Sequence, residues 1–316
     1  MLMWIILFLF LEQLMIFYRY LIYSNKNKSI ICYDLNDQKI IKELKDSHNE
    51  YVTNFRHYLD EINKRDLIMS LSMKDNNIRI WNINNFECIH NIIDINNAGY
   101  LDSACFLKDN NKIYIITSNS NRNCNSEYIK VFDLIGLKVK EINNSNDKTY
   151  FIDIYYDNIL SKNYIITGNF GYVKSYDYTN NKTYHKYTDN DKVSTHISII
   201  IKNIKNIIKL IESSYSGSIR IWNFHSGLLL NKIKIANEHL YGICLWNDNY
   251  IFVGCSDKTI KLIELDNRLI VKSLNSHDNE VITVKIIIHP KYGKCLISQN
   301  SRESKIKLWG NKNNYL

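Results

Sequence analysis

Residues 67–83 read LIMSLSMKDNNIRIWNI, and this stretch decides the fold. An apolar run leads into a polar turn, and basic and apolar residues then alternate as far as Trp81. A period of two is the pattern of a β-strand with one buried face. The stretches IIKLIESSYSGSIRIWNF at 207–224 and YIFVGCSDKTIKLIEL at 250–265 have the same pattern. The chain therefore repeats one short unit of two strands and a turn.

The repeat has seven copies, and each copy ends at an equivalent anchor residue. The anchors are Tyr33, Trp81, Phe132, Tyr176, Trp222, Ile263 and Trp309. Successive anchors lie 48, 51, 44, 46, 41 and 46 residues apart, which is near the roughly 40–45 residues of a four-stranded propeller blade. The repeats predict a single domain over residues 1–316.

The composition favours strands over helices. Only three alanines occur among 316 residues, whereas Ile, Val, Thr, Tyr and Phe are plentiful, and alanine is the best helix former. Ten glycines and one proline leave the turns to Asn, Asp and Ser. The seven cysteines contain no C-x-x-C spacing, so we expect reduced thiols in a cytoplasmic protein. The chain is predicted to be all-β.

The seven copies resemble the repeats of the WD-repeat β-propeller family, and the resemblance extends from about Tyr20 to Trp309. It implies a seven-bladed β-propeller of four-stranded antiparallel blades. Only seven residues follow Trp309, which is too few for a well-formed outer strand and its turn. We therefore expect imperfect ring closure, unless residues 1–11 supply the missing strand.

The resemblance also implies a buried hydrogen-bond network of Asp, His, Ser or Thr, and Trp inside the blades. Such a network gives each buried polar group a partner, which a protein interior requires. The matching residues have a structural role, and they are His48, Ser70, Asp75 and Trp81 in the second blade, His239 and Asp257 in the sixth, and His277, Ser298 and Trp309 in the last. Several blades depart from the pattern, with Ser126, Phe170, Ser216 and Glu303 at the Asp position and Ile263 in place of Trp.

A basic residue stands two positions before six of the seven anchors. The series is Arg79, Lys130, Lys174, Arg220, Lys261 and Lys307, and Ile31 interrupts it. One interpretation is a ring of charge that receives phosphate or nucleic acid. The interpretation that we favour is structural: each stem packs between blades while its charge reaches solvent.

The N-terminal residues 1–20 form an apolar segment with two interpretations. Residues 1–11 are uninterrupted apolar, but a bilayer needs about twenty such residues. The 48-residue register aligns Trp4 with Val52, where the innermost strand of the second blade begins, so residues 1–11 are predicted to be a strand of the first blade. The alternative is a membrane anchor through residues 1–18, which would place Glu12 inside the span.

The sequence contains none of the common catalytic motifs. P-loop, G-x-G-x-x-G, H-E-x-x-H and G-x-S-x-G strings are all missing, so we expect no catalytic residues, cofactor or metal. The family resemblance implies a non-catalytic scaffold whose partners are other proteins, and nucleic acid is not expected. The alternative is a basic adaptor, with its net charge of +8, that docks on anionic membrane or RNA.

Overall fold

The computed structural model describes residues 9–12, 19–24, 28–45, 47–50, 52–72, 77–93, 100–120, 128–143, 148–189, 196–275, 277–300 and 306–310. All regular elements within these ranges are β-strands, and they form seven sheets of consecutive antiparallel strands. In the same ranges, no helix is long and apolar enough to cross a membrane. The all-β prediction is confirmed.

The first three sheets have four strands each. Their bounds are β1 Leu9–Glu12, β2 Arg19–Ser24, β3 Ile30–Asp34, β4 Lys39–Leu44, β5 Val52–Asp60, β6 Arg65–Ser72, β7 Asn77–Asn82, β8 Glu87–Ile93, β9 Tyr100–Asp109, β10 Lys112–Ser120, β11 Tyr128–Asp133 and β12 Lys138–Asn143.

Sheets four to six also have four strands each, and the seventh has three described strands. Their bounds are β13 Thr149–Asp157, β14 Lys162–Asn169, β15 Val173–Asp177, β16 Lys182–Tyr187, β17 His196–Ile204, β18 Ile207–Ser214, β19 Ser218–Asn223, β20 Leu229–Lys234, β21 Leu240–Leu245, β22 Tyr250–Cys255, β23 Thr259–Glu264, β24 Leu269–Asn275, β25 Val281–His289, β26 Gly293–Asn300 and β27 Ile306–Trp309.

The chain divides into two compact units. The first contains Leu2–Asn146, Ile287–Cys295 and Trp309–Leu316, and the second contains Asp147–Ile286 and Leu296–Leu308. Sheets one to three therefore belong to the first unit and sheets four to six to the second. A single domain over residues 1–316 stays a prediction.

All seven anchors lie on the third strand of their sheet, as the repeat predicts. In sheets one to six the anchor faces a large aliphatic residue on the second strand, and these residues are Leu21, Ile68, Ile115, Ile165, Leu210 and Ile251. In each of these sheets the register between the third and fourth strands also shifts directly before the anchor. Such a bulge twists the outer strand and makes it a poor template for edge-to-edge pairing.

The core lies between neighbouring sheets. In the first unit, one cluster joins Ile22 and Cys32 of the first sheet to Phe55 and Trp81 of the second. In the second unit, clusters join sheets four and five and sheets five and six in the same way. A sheet between two neighbours thus has two buried faces, which is why its second and third strands are buried at nearly every position.

The N-terminal strand belongs to the first sheet. Leu9–Glu12 pairs with β2, from Leu9 opposite Ile22 to Glu12 opposite Arg19, whereas Trp4 lies outside the described residues. The seventh sheet contains only β25–β27 among the described strands. Residues 9–11 therefore pair within the first sheet, as predicted for a strand of the first blade, and not with the described strands of the last one. Among the described strands, no strand of the first sheet pairs with a strand of the seventh. The fold is thus not closed by hydrogen bonds, in agreement with the expected imperfect closure.

Candidate interaction surface

Three of the predicted network residues meet in the second sheet. Ser70 lies on β6 and Trp81 on β7, and the Trp81 Nε1–H donates to Ser70 Oγ over 2.8 Å. His48 Nε2 lies 2.8 Å from the same oxygen. Because this oxygen accepts from the indole, its own proton can be donated to the imidazole. Asp75, the fourth predicted member, lies outside the described residues.

The last sheet brings His277 and Ser298 together, as predicted. His277 Nε2 lies 2.7 Å from Ser298 Oγ, and both side chains are buried. Burial and the positive charge of Lys307 lower the pKa of His277 to about 4, so its imidazole is neutral at physiological pH. Trp309 lies on β27 and is half-buried, while Glu303 lies outside the described residues.

The sixth sheet does not bring His239 and Asp257 together. His239 is exposed, and its Nδ1 lies 2.9 Å from the Tyr215 carbonyl oxygen. Asp257 instead forms an ion pair with Lys261 and accepts a hydrogen bond from the Thr259 hydroxyl over 2.6 Å. The anchor of this sheet is Ile263, which has no side-chain N–H for a network to satisfy.

The basic series is more deeply buried than we expected. Four of its members, Lys130, Lys174, Arg220 and Lys261, are between 0% and 8% exposed. Arg79 and Lys307 are half-buried. The Arg220 side chain is fully buried, so the expectation that each charge reaches solvent is wrong for Arg220, and the four buried members together expose little surface to phosphate.

The fifth sheet holds a buried polar network that sequence reasoning missed. Glu212 occupies the place in β18 that Ser70 has in β6, since each faces the basic residue two positions before the anchor. His196 Nδ1 binds one oxygen of the Glu212 carboxylate, and the Trp222 Nε1–H donates to the other over 3.3 Å. The sequence signal for this network is a glutamate that directly follows the apolar residues Leu210 and Ile211 within the second strand of the repeat.

Arg220 extends this network towards the next loop. Its Nη1 lies 3.8 Å from Glu212 Oε1, and its Nε–H donates to Asp189 Oδ2 over 2.7 Å. Asp189 also binds Lys232 Nζ at 2.9 Å, and Arg220 Nη1 donates to Ser214 Oγ over 2.7 Å. The buried guanidinium is therefore paired with two carboxylates, as a charge inside a protein must be.

A different part of each sheet exposes apolar side chains. In an antiparallel four-stranded sheet, the first turn and the third turn lie at the same end. We call this end of a sheet its paired-turn end. The described turns at the paired-turn ends are residues 35–38 in sheet one, 61–64 and 83–86 in sheet two, 110–111 and 134–137 in sheet three, 158–161 and 178–181 in sheet four, 205–206 and 224–228 in sheet five, and 246–249 and 265–268 in sheet six. Exposed large aliphatic residues lie in or within two residues of these turns, namely Ile40, Ile62, Ile135, Leu137, Val139, Ile159, Leu160, Ile207, Leu228, Leu229, Leu230, Leu269 and Ile270.

Comparison with known proteins supports the fold and a distant relationship. No protein-family model matches the chain. The U3 small nucleolar RNA-associated protein 21 homolog of Schizosaccharomyces pombe is 24% identical over 84 residues, which are 27% of this chain and 9% of that protein. This chain thus matches only a small fraction of that relative's length.

A solved structure matches over nearly the whole chain. The computationally designed Ika8 protein superposes with a TM-score of 0.65 over 92% of this chain and 80% of its own, at 16% identity. This likeness concerns the fold alone. The seven consecutive sheets, the anchor on each third strand and the stretch shared with the curated relative together support the resemblance to the WD-repeat β-propeller family.

Proposed function

We propose that this chain is a non-catalytic protein-interaction scaffold. The observation that supports the proposal is the set of exposed aliphatic side chains at the paired-turn ends, where Ile159 is 78% exposed and Leu228 66%. Clustered exposed apolar residues on a folded protein mark surfaces that bind other proteins. Turns that project from rigid sheets are well suited to this role because the sheets fix their positions.

The buried polar groups support the same proposal. The contacts of His48, His277 and Glu212 are internal to their own sheets and fix strands to one another. Within the described residues, no group of three or more His, Cys, Asp and Glu side chains is arranged to hold a metal ion. The histidines and carboxylates described above thus have a structural use, and we assign them no catalytic one.

Affinity purification with mass spectrometry tests the scaffold proposal. The tagged full chain is compared with a double variant of the third sheet, Ile135→Asp with Leu137→Asp, and with Phe170→Asp as a matched control. Phe170 is an exposed apolar residue at the opposite end of the fourth sheet. The wild type should retain proteins that the double variant loses and the control keeps. Retention of every partner by the double variant would contradict the proposal.

We also propose a cytoplasmic location. Six of the seven cysteines are described, and all six are free thiols. Burial raises the pKa of Cys32 and of Cys255 to about 12, which keeps these thiols protonated and unreactive. Free thiols suit a reducing compartment. Cell fractionation distinguishes this location from the alternative, membrane association through residues 1–18.

A second candidate function is a role in an RNA-associated assembly. It is supported by the name of the curated relative, a U3 small nucleolar RNA-associated protein, and by the net charge of +8. Binding to a labelled RNA at increasing salt tests it, because contacts with phosphate weaken steeply as salt rises. Binding that is independent of salt would exclude a phosphate-driven interaction.

A further inference from the structure

The paired-turn ends of sheets four and five are joined by a buried carboxylate. Asp157 ends β13 and is 0% exposed. Its Oδ1 accepts hydrogen bonds from the Ile159 and Leu160 backbone N–H groups over 2.8 and 3.1 Å. Its Oδ2 lies 3.1 Å from His225 Nε2, in the turn between β19 and β20. One carboxylate therefore shapes the first turn and ties it to the second.

Aromatic side chains form a rigid base under these two turns. His225 Nδ1 lies 3.2 Å from the Tyr184 hydroxyl, and the Tyr187 hydroxyl donates to the Phe224 carbonyl over 2.7 Å. The Phe224 ring packs edge-on against Tyr164, with ring centroids 5.2 Å apart. A surface with a fixed base loses little conformational entropy when a partner binds.

The side chains above this base are apolar and exposed. Ile159 and Leu160 project from one turn and Leu228 from the other, and the contact between Asp157 and His225 holds the two turns side by side. The Asn223 side-chain oxygen accepts the His225 N–H over 3.0 Å, which fixes the second turn. Aliphatic residues fixed in this way form the apolar centre of a binding surface.

The charged groups of sheets four and five that are exposed around this centre are lysines. Lys162, Lys182 and Lys205 are at least partly exposed, whereas the Asp157 carboxylate is buried and the Asp177 side chain is only 10% exposed. Lys162 Nζ lies 3.1 Å from Asp177 Oδ2, and Lys205 pairs with a carboxylate of the sixth sheet. These two lysines are thus partly neutralised, and the exposed Lys182 is the charge that best complements an acidic partner.

Resting on the proposed scaffold function, we propose that these two turns bind an acidic peptide segment with large apolar side chains. Its apolar residues contact Ile159, Leu160 and Leu228, and its carboxylates lie near Lys162 and Lys182. An apolar centre with a charged rim is the usual anatomy of a protein interface. RNA is less well matched, since bases stack on aromatic faces and the exposed side chains here are aliphatic.

Selection from a random peptide library displayed on phage, with the full chain as target, tests the proposal. We expect enrichment of peptides that combine Asp or Glu with Leu, Ile or Phe. Fluorescence anisotropy of an enriched peptide should show affinity falling at least about tenfold in Ile159→Asp and in Leu228→Asp. Lys182→Glu should also weaken binding, whereas Phe170→Asp, at the opposite end of the fourth sheet, should not. Unchanged thermal melting shows that each variant is folded.

Three results would overturn this inference. The first is that the selection enriches no acidic peptides, and the second is that a peptide binds the wild type and both turn variants with equal affinity. The third is that polyuridylic acid displaces the peptide at physiological salt. The third result would assign the surface to nucleic acid. Failure here is distinguishable from failure of the scaffold function. If one of these results occurred while Ile135→Asp with Leu137→Asp still lost partners, the scaffold function would stand and only the binding site on sheets four and five would be rejected.

Discussion

The hydroxyl of Ser70 links three parts of the second sheet through one oxygen atom. It accepts from Trp81, contacts His48 and is itself fully buried. Removing it leaves an indole N–H and an imidazole nitrogen without this partner in a site that water does not reach. The cost of such unsatisfied groups exceeds the value of the hydrogen bonds themselves.

Ser70→Ala should therefore lower the free energy of unfolding by about 1–3 kcal/mol. Ser273→Ala, at an exposed position on β24, is the matched control and should stay within about 0.5 kcal/mol of the wild type. Urea denaturation followed by tryptophan fluorescence measures both values. Equal midpoints for the two variants would show that the Ser70 contacts contribute nothing to stability.

His277 should make the protein sensitive to acid. Its folded-state pKa of about 4 lies below the ordinary value of 6.5, so between these values the unfolded chain binds a proton that the folded chain does not. Because of this group, the free energy of unfolding should fall by about 2 kcal/mol as the pH falls from about 7 to about 5.

His277→Gln should abolish this part of the acid sensitivity, although it lowers stability at neutral pH by disturbing the contact with Ser298. His239→Gln, at an exposed histidine, is the matched control. The measurement is the difference in unfolding free energy between about pH 7 and about pH 5 for each protein. The same difference in the wild type and in His277→Gln would show that His277 is not held neutral.

These residues show how far the network could be predicted from sequence. Ser70 and Trp81 match the spacing of the repeat, so their contact follows once the second and third strands are aligned. Glu212 performs the same task with a different functional group, and its partner His196 lies at the start of β17 rather than in the loop before the first strand. A pattern of residue types could not identify that substitution, because it depends on which side chains meet across the sheet.

At the scale of the element, one glycine turn determines how β18 leads into β19. Gly217 has φ of +76°, and its carbonyl oxygen accepts the N–H groups of Ile235 and Ala236. A Cβ at this position would lie 2.1 Å from the Ala236 carbonyl oxygen. The sequence predicted turns made by Asn, Asp and Ser, but position 217 of this turn has no room for a side chain.

Gly217→Ala should destabilise the protein by more than about 2 kcal/mol, because it adds a backbone clash to the strain of a positive φ. Gly293→Ala is the control: its φ is +69°, but no atom lies within 4 Å of the added Cβ, so only the strain of about 1–2 kcal/mol applies. Thermal unfolding of both variants checks the order. A larger loss for Gly293→Ala would contradict the geometry of the turn.

At the scale of the whole molecule, the repeat length could be read from the sequence because each blade repeats the same alternation. The number of sheets and the position of every anchor follow from that repeat. The exposure of Ile159 and Leu228 could not be predicted, since the same residue types are buried elsewhere in the chain. Which copy is exposed depends on whether a neighbouring sheet covers it.

Amide hydrogen exchange of the full chain, followed by mass spectrometry, tests the seven-sheet fold most directly. Slow exchange should recur seven times along the sequence, over the second and third strands of sheets one to six and over β26 of the seventh, because these strands are bonded on both sides and buried. The paired turns, including residues 61–64, 158–161 and 224–228, should exchange faster than the strands that they connect. A single protected block that runs through these turns, or fewer than seven protected blocks, would contradict the WD-repeat propeller.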